Sequence, residues 1–170
     1  MTTLLDGPID VHYGFLFLAH PDVIAGEEFG REGQANGLCG AAVPGLLSMT
    51  TGLHTGEVPV RIEWHADEPP LDDSWEETVE VPYDAPATDL VLSAFEDFRD
   101  VSLPRAGPHR ARFSASGMDG GNELDTPDEG EAAPDRYLLQ LWPAPPAPDR
   151  VVKQTSKIAA YWHGVARDAR

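Results

Sequence analysis

The chain has 170 residues, 41% of them apolar, and carries 29 Asp and Glu against 12 Lys and Arg, a formal charge of -17. A surface this negative repels nucleic acid, anionic membranes and other acidic chains, and it speeds encounter with cationic ones. Direct nucleic-acid binding and membrane association are therefore disfavoured, and a basic protein is the partner that the charge implies.

The length fits a single domain, 1–170, able to bury one substantial core, and 16 Gly with 16 Pro leave little room for long helices. The one cysteine, Cys39, excludes an internal disulfide. The first residues show no basic stretch followed by a sustained apolar run, so a cytoplasmic location is expected. The longest apolar run, Phe15 to Ala19, is too short to span a membrane. The Ala-, Gly-, Pro- and Asp-rich, Lys-poor composition also fits a bacterial genome of high GC content, an indifferent source for part of the acidity.

In chain order, Ile9 to Leu18 reads as a strand, nearly all apolar in its second half as in a strand covered on both faces. Residues 20–57 are Gly-rich with little β-period, and a short helix is expected near Val43 to Met49. Val58 to His65 alternates, with Val60, Ile62 and Trp64 on one face. An acidic turn-rich connection follows. Glu76 to Tyr83 alternates again, and Pro82 places it at a sheet edge or at its own end. Asp89 to Phe95 and the residues from Asp100 to Leu103 are further strand candidates, and His109 to Ala115 sets Arg110 and Arg112 against Ala111 and Phe113. An acidic insertion, 117–135, precedes a strand at Arg136 to Trp142, which the run PAPPAPD stops. Arg150 to Ser156 is a last strand. Lys157 to Arg167 is a helix with Ser156 as N-cap and an apolar face of Ile158, Tyr161, Trp162 and Val165. The sum is a mainly β chain: an antiparallel β-sandwich of seven or eight strands with a short C-terminal helix.

Three stretches resemble the competence protein J family, whose known member inhibits a DNA-uptake nuclease. They are VEVPY at 79–83, DVSLPRAGPHRARF at 100–113 and DRYLLQLWPAP at 135–145; HYGFLF at 12–17 is similar to that family's first strand. The resemblance covers about half of the chain, and region 20–57, the acidic insertion and the terminal helix depart from it. It implies a small β protein that binds and blocks a basic enzyme. It supplies no catalytic residues.

The acids themselves are the candidate binding residues. From Asp119 to Asp135 the chain holds seven acids and no Lys or Arg: Asp119, Glu123, Asp125, Asp128, Glu129, Glu131 and Asp135. Asp72 and Asp73, with Glu76 and Glu77, make a second patch. A nuclease groove is lined by cations because it holds phosphates, so carboxylates at similar spacing can occupy it. A solvated, unstructured acidic loop is the indifferent reading of the same composition.

Other chemistry has weaker support. The acids lack EF-hand spacing. The six histidines contain no HxH or HxxxH pair, and no cofactor or metal is expected. Cys39, flanked by glycines, is a small buried hydrophobe or a nucleophile awaiting His54 or His65. The six glycines between Gly33 and Gly56 form no phosphate loop, and they either pack tightly or face a ligand. Three readings stay open: an inhibitor or immunity protein of a basic nuclease-type enzyme, an accessory interaction protein of unspecified partner, and a small-molecule-binding or enzymatic sandwich using the Gly-rich region.

Overall fold

In the computed structural model, which describes residues 1–23 and 30–169, the chain forms eleven strands and two helices. The first strands are β1 (Thr2–Val11), β2 (Phe15–Ala19), β3 (Cys39–Gly40), β4 (Leu46–Thr50) and β5 (Gly56–Trp64). Next come β6 (Glu77–Ala85), β7 (Asp89–Ser93), β8 (Phe98–Ser102) and β9 (Gly107–Ser116). The last elements are α1 (Met118–Leu124), β10 (Arg136–Pro143), β11 (Arg150–Lys153) and α2 (Lys157–Asp168). A six-stranded sheet runs β1-β5-β10-β9-β6-β11 and a five-stranded sheet β3-β4-β2-β7-β8.

Period-2 alternation builds both layers. Ile9, Val11, Val60, Ile62, Val79, Val81, Ala111, Phe113, Leu139 and Leu141 from the first sheet join Leu16, Leu18, Leu47, Met49, Leu90, Leu92 and Val101 from the second in one buried cluster. Two apolar sheet faces sharing a core is the general solution for an all-β chain. The mainly β expectation holds. Among the described residues there are eleven strands instead of seven or eight, and the pairing is not wholly antiparallel, because β10 lies parallel to β5.

Three local expectations also change. Ile9 to Leu18 is not one strand. It breaks at Tyr13 and Gly14, both with positive φ (63° and 71°), into a tight turn closed by His12 and Phe15. Such turns favour Asn-Gly, and a tyrosine held there costs about 1–2 kcal/mol, so the sequence carries no strong turn signal. Instead of a helix at Val43 to Met49 there is a fully buried strand, β4, paired with β2. Val43 to Gly45 supplies only the turn before it, and the part of the Gly-rich region at 24–29 lies outside the described residues. The acidic insertion contains a helix, α1. Pro82 is tolerated because β11 reaches β6 only at Thr78 to Glu80, which leaves that flank of the later part of β6 without a partner from β11.

The outer face of the six-stranded sheet is a ladder of paired charges. Arg61 binds Asp6 and Glu63; Glu63 also receives His65 and Gln140. One rung further, Glu80, 2% exposed, accepts from Arg110, Arg112 and Arg150, while Arg112 also reaches Glu68 and the carbonyls of Pro69 and Pro70 and stacks on Trp142. Burial opposes ionisation of Glu80, but the Arg150 and Arg112 guanidiniums outweigh it and hold the carboxyl below its usual value.

Candidate functional site: an acidic segment beside an aromatic corner

The acidic segment is built into the fold. Gly117 (φ 77°) starts it, at a spot where a Cβ would collide with the Pro134 carbonyl, and Met118 is driven into the core. Asp119 reaches across to α2 and accepts from the backbone N–H groups of Lys157 (3.1 Å) and Ile158 (2.9 Å), joining Ser156, whose hydroxyl caps Ala159 N–H at 3.2 Å. That confirms the expected N-cap and adds a second one from another helix. At the far end the Asp125 carbonyl accepts from His54 and Thr55 N–H, both at 3.1 Å, and the Asp128 N–H donates to Glu131 at 3.0 Å.

The sequence-derived acids divide accordingly. Glu123, Asp125, Asp128, Glu129 and Glu131 are exposed, and none of them makes an ion pair among the described residues. Asp119 is half-buried and occupied with α2. Asp135 belongs to the interior, 1% exposed: it accepts from Leu53 N–H (2.8 Å) and from the Tyr137 hydroxyl, whose oxygen in turn accepts from Gly52 N–H (2.7 Å). As a surface contact Asp135 is thus corrected, since a carboxylate with no route to solvent cannot meet a partner. Glu77 is likewise buried, accepting from Thr155 and Ser156 N–H, and burial pushes its carboxyl above the usual value. Asp72 and Asp73 are exposed; Asp72 closes a turn onto Ser74 N–H (2.9 Å), and the Asp73 carbonyl accepts from Lys153. Glu76, exposed, accepts from Gly117 N–H at 2.8 Å, so this second patch meets the foot of the insertion.

The Gly-rich region is a packing device. Gly37 and Gly52 lie where a Cβ would strike the backbone of Trp162 and Met118, which lets α2 and α1 dock at backbone distance. Asn36 and Gln34 tie the loop to Asp149 and to the Cys39 carbonyl. Cys39 is fully buried, and burial pushes its thiol up to about 12, so it is no thiolate at neutral pH. Among the described residues no three His, Cys, Asp or Glu side chains are placed to share a metal ion.

Helix α2 buries Ala159, His163 and Ala166 and packs Ile158 and Trp162 against the core, whereas Tyr161 and Val165 are exposed. Of the expected face Ile158 and Trp162 hold and Tyr161 and Val165 are corrected: the buried stripe runs on through small residues where the Gly37 backbone meets the helix backbone at Trp162. His163 accepts from Gly37 N–H at 3.0 Å; burial, with Arg167 nearby, lowers it to about 4.

One feature lies outside what alternation or charge could indicate. At the tips of the β1–β2 and β7–β8 hairpins, His12, Tyr13, Phe15, Phe17, Phe95 and Phe98 line a groove of about 590 Å³. Tyr13, Phe95 and Phe98 are 60%, 62% and 63% exposed. Tyr13 meets His54 edge-on at 5.4 Å, and His54 N–H binds Asp125, so groove and acidic segment are contiguous. The two-residue turn and the FEDF tip were the available signals.

The geometry thus defines a class: a mainly β protein of two sheets presenting an acidic segment. Within that class, the chain shares its fold with ComJ of Bacillus subtilis, the inhibitor of the DNA-degrading activity of NucA, at 13% identity and a TM-score of 0.57, over 84% of this chain and 98% of that one. It is also similar in structure to the product of crocagin biosynthetic gene J, at 14% identity and a TM-score of 0.54, over 85% of this chain and all (100%) of the other. No protein-family model matches the chain, and no curated protein matches it. No helix among the described residues is long and apolar enough to cross a membrane.

Proposed function

We propose that this protein is an acidic binding module that engages and inhibits a basic, nuclease-type enzyme, as an inhibitor or immunity protein. The observation that carries the reading is the set of exposed carboxylates Glu123, Asp125, Asp128, Glu129 and Glu131, none in an ion pair among the described residues, on a segment held at Asp119, Asp125 and Asp135 by hydrogen bonds from backbone N–H groups. A backbone already anchored loses little conformational freedom when its carboxylates meet a cationic groove. The fold of ComJ, a nuclease inhibitor, supports the same direction. Asp72 and Asp73 extend the negative surface from the other side of Gly117 and belong to the proposed contact; the buried Asp135 and Glu77 do not. The cytoplasm is the proposed location.

The test is affinity capture from cells that express the protein, at low and at high salt, followed by a DNA-degradation assay of the captured fraction. The expected result is a basic protein, released by salt, whose nuclease activity falls to zero at one equivalent of this chain. Capture of an acidic partner, or of a nuclease that stays active when saturated, would overturn the proposal.

A further inference from the structure

We infer that the groove between the β1–β2 and β7–β8 hairpin tips is the anchor point for an arginine-bearing segment of the cationic partner; the inference deepens the proposed function and rests on it. Several observations converge. The groove is walled by aromatic faces, and no Lys or Arg lines it among the described residues. Three of its rings stand well into solvent on a chain that otherwise buries its large apolar side chains with few exceptions. Isolated exposed apolar residues need no explanation, but a contiguous concave set does. Tyr13 is held outward in a left-handed backbone conformation that a tyrosine adopts only when the surroundings impose it, and such outliers gather at binding sites.

Charge selects the occupant. Glu96 sits at the hairpin tip beside Phe95, and Asp100 shares the outward face of β8 with Phe98. On β1 and β5 Asp10 and Glu57 are both exposed and stand directly opposite each other in register, a like-charge pair that a cation would relieve, and the Asp10 N–H donates to Asp97 of the β7–β8 tip at 3.0 Å. Two cations are already near: Arg99 is engaged by Asp97 at 2.8 Å, and Arg31 lies over the Phe15 ring at 5.5 Å, a guanidinium on one of the groove's own rings. The third side is the acidic segment, joined through His54 to Asp125. Aromatic faces flanked in the chain by carboxylates fit a guanidinium better than an ammonium: it is planar, stacks on rings and is more weakly hydrated than Lys.

The probe is a capped synthetic peptide alternating Arg and Leu, compared with its Lys-for-Arg analogue, titrated into the full-length protein at about 150 mM salt so that long-range attraction is screened. Binding is followed by calorimetry and by backbone amide shifts. The expected result is that shifts cluster at 12–15 and 93–98, and that the Lys analogue binds several-fold more weakly. The double variant Phe95→Ser with Phe98→Thr, exposed sites whose change leaves the core intact, should lower affinity about tenfold at unchanged melting temperature. A second variant set, Glu123→Gln, Asp128→Asn, Glu129→Gln and Glu131→Gln, separates the two ideas. If it abolishes binding while the aromatic double variant binds as the wild type, the acidic-segment reading survives and the anchor is overturned. Loss in the aromatic variant alone supports the anchor and removes the acidic segment from the contact. No binding of the Arg peptide, shifts elsewhere, or a concentration-dependent dimer that the aromatic variant dissolves would each overturn the anchor.

Discussion

On the outer face of the six-stranded sheet, Glu80 and Glu63 are surrounded by Arg110, Arg112, Arg150, Arg61 and Gln140, and little negative charge is left over. On the segment 123–131, five carboxylates face water with no cation within ion-pair distance among the described residues. Both regions draw on the same residue types, yet the first uses its acids to solve the burial of arginines, and the second leaves them available. The lesson is that net charge by itself does not locate an interaction surface. The acids that remain after internal pairing do.

The comparison can be broken most forcefully at Glu80. Glu80→Ala strands two buried guanidiniums, so urea denaturation should show a loss of about 3–5 kcal/mol. A loss below about 1 kcal/mol, the range of an exposed pair, would mean that the ladder is no more structural than the acidic segment.

The mounting of the segment responds to pH through His163. Its folded-state value of about 4 lies below the ordinary 6.5, so the unfolded chain takes up the extra proton. The stability contribution is therefore complete above pH 6.5 and declines as pH falls toward 4, by up to about 3 kcal/mol. His163→Gln, which keeps an acceptor for Gly37 N–H, should flatten the melting temperature across that window; an unchanged slope would remove His163 as its source.

Removing the link between the two helices is milder. Asp119→Ala deletes a two-pronged cap on α2 but leaves Ser156 in place, so thermal unfolding should report about 1 kcal/mol lost. The smallest effect belongs to the free acids. Neutralising Glu123, Asp128, Glu129 and Glu131 together should change stability by less than about 0.5 kcal/mol, because none is in an ion pair among the described residues and the one hydrogen bond, Asp128 N–H to Glu131, can still be accepted by a glutamine carbonyl.

What could be read from the sequence follows the same division. Strands in which apolar residues alternate with polar or charged ones, such as β5, β6, β9 and β10, stand close to where the pattern places them. The β1–β2 turn was hidden because it uses Tyr-Gly, and β4 because its residues are buried on both faces and so carry no period. The parallel pairing of β10 with β5 is a property of topology and not of either strand alone. Exposed acids were legible as a segment, but nothing local distinguishes Asp135 from Asp128. What buries Asp135 is the Tyr137 hydroxyl two residues on and the Leu53 amide from a distant loop. The aromatic groove is assembled from two hairpin tips far apart in the chain, so no single window contains it.

The most direct measurement is the dissociation constant for the captured cationic nuclease, taken with the wild-type chain and with the four-acid variant at about 50 and about 200 mM salt. The account predicts an affinity that falls steeply with salt for the wild type, and binding at least about tenfold weaker with a shallower slope for the variant. Equal affinities with equal slopes would contradict it.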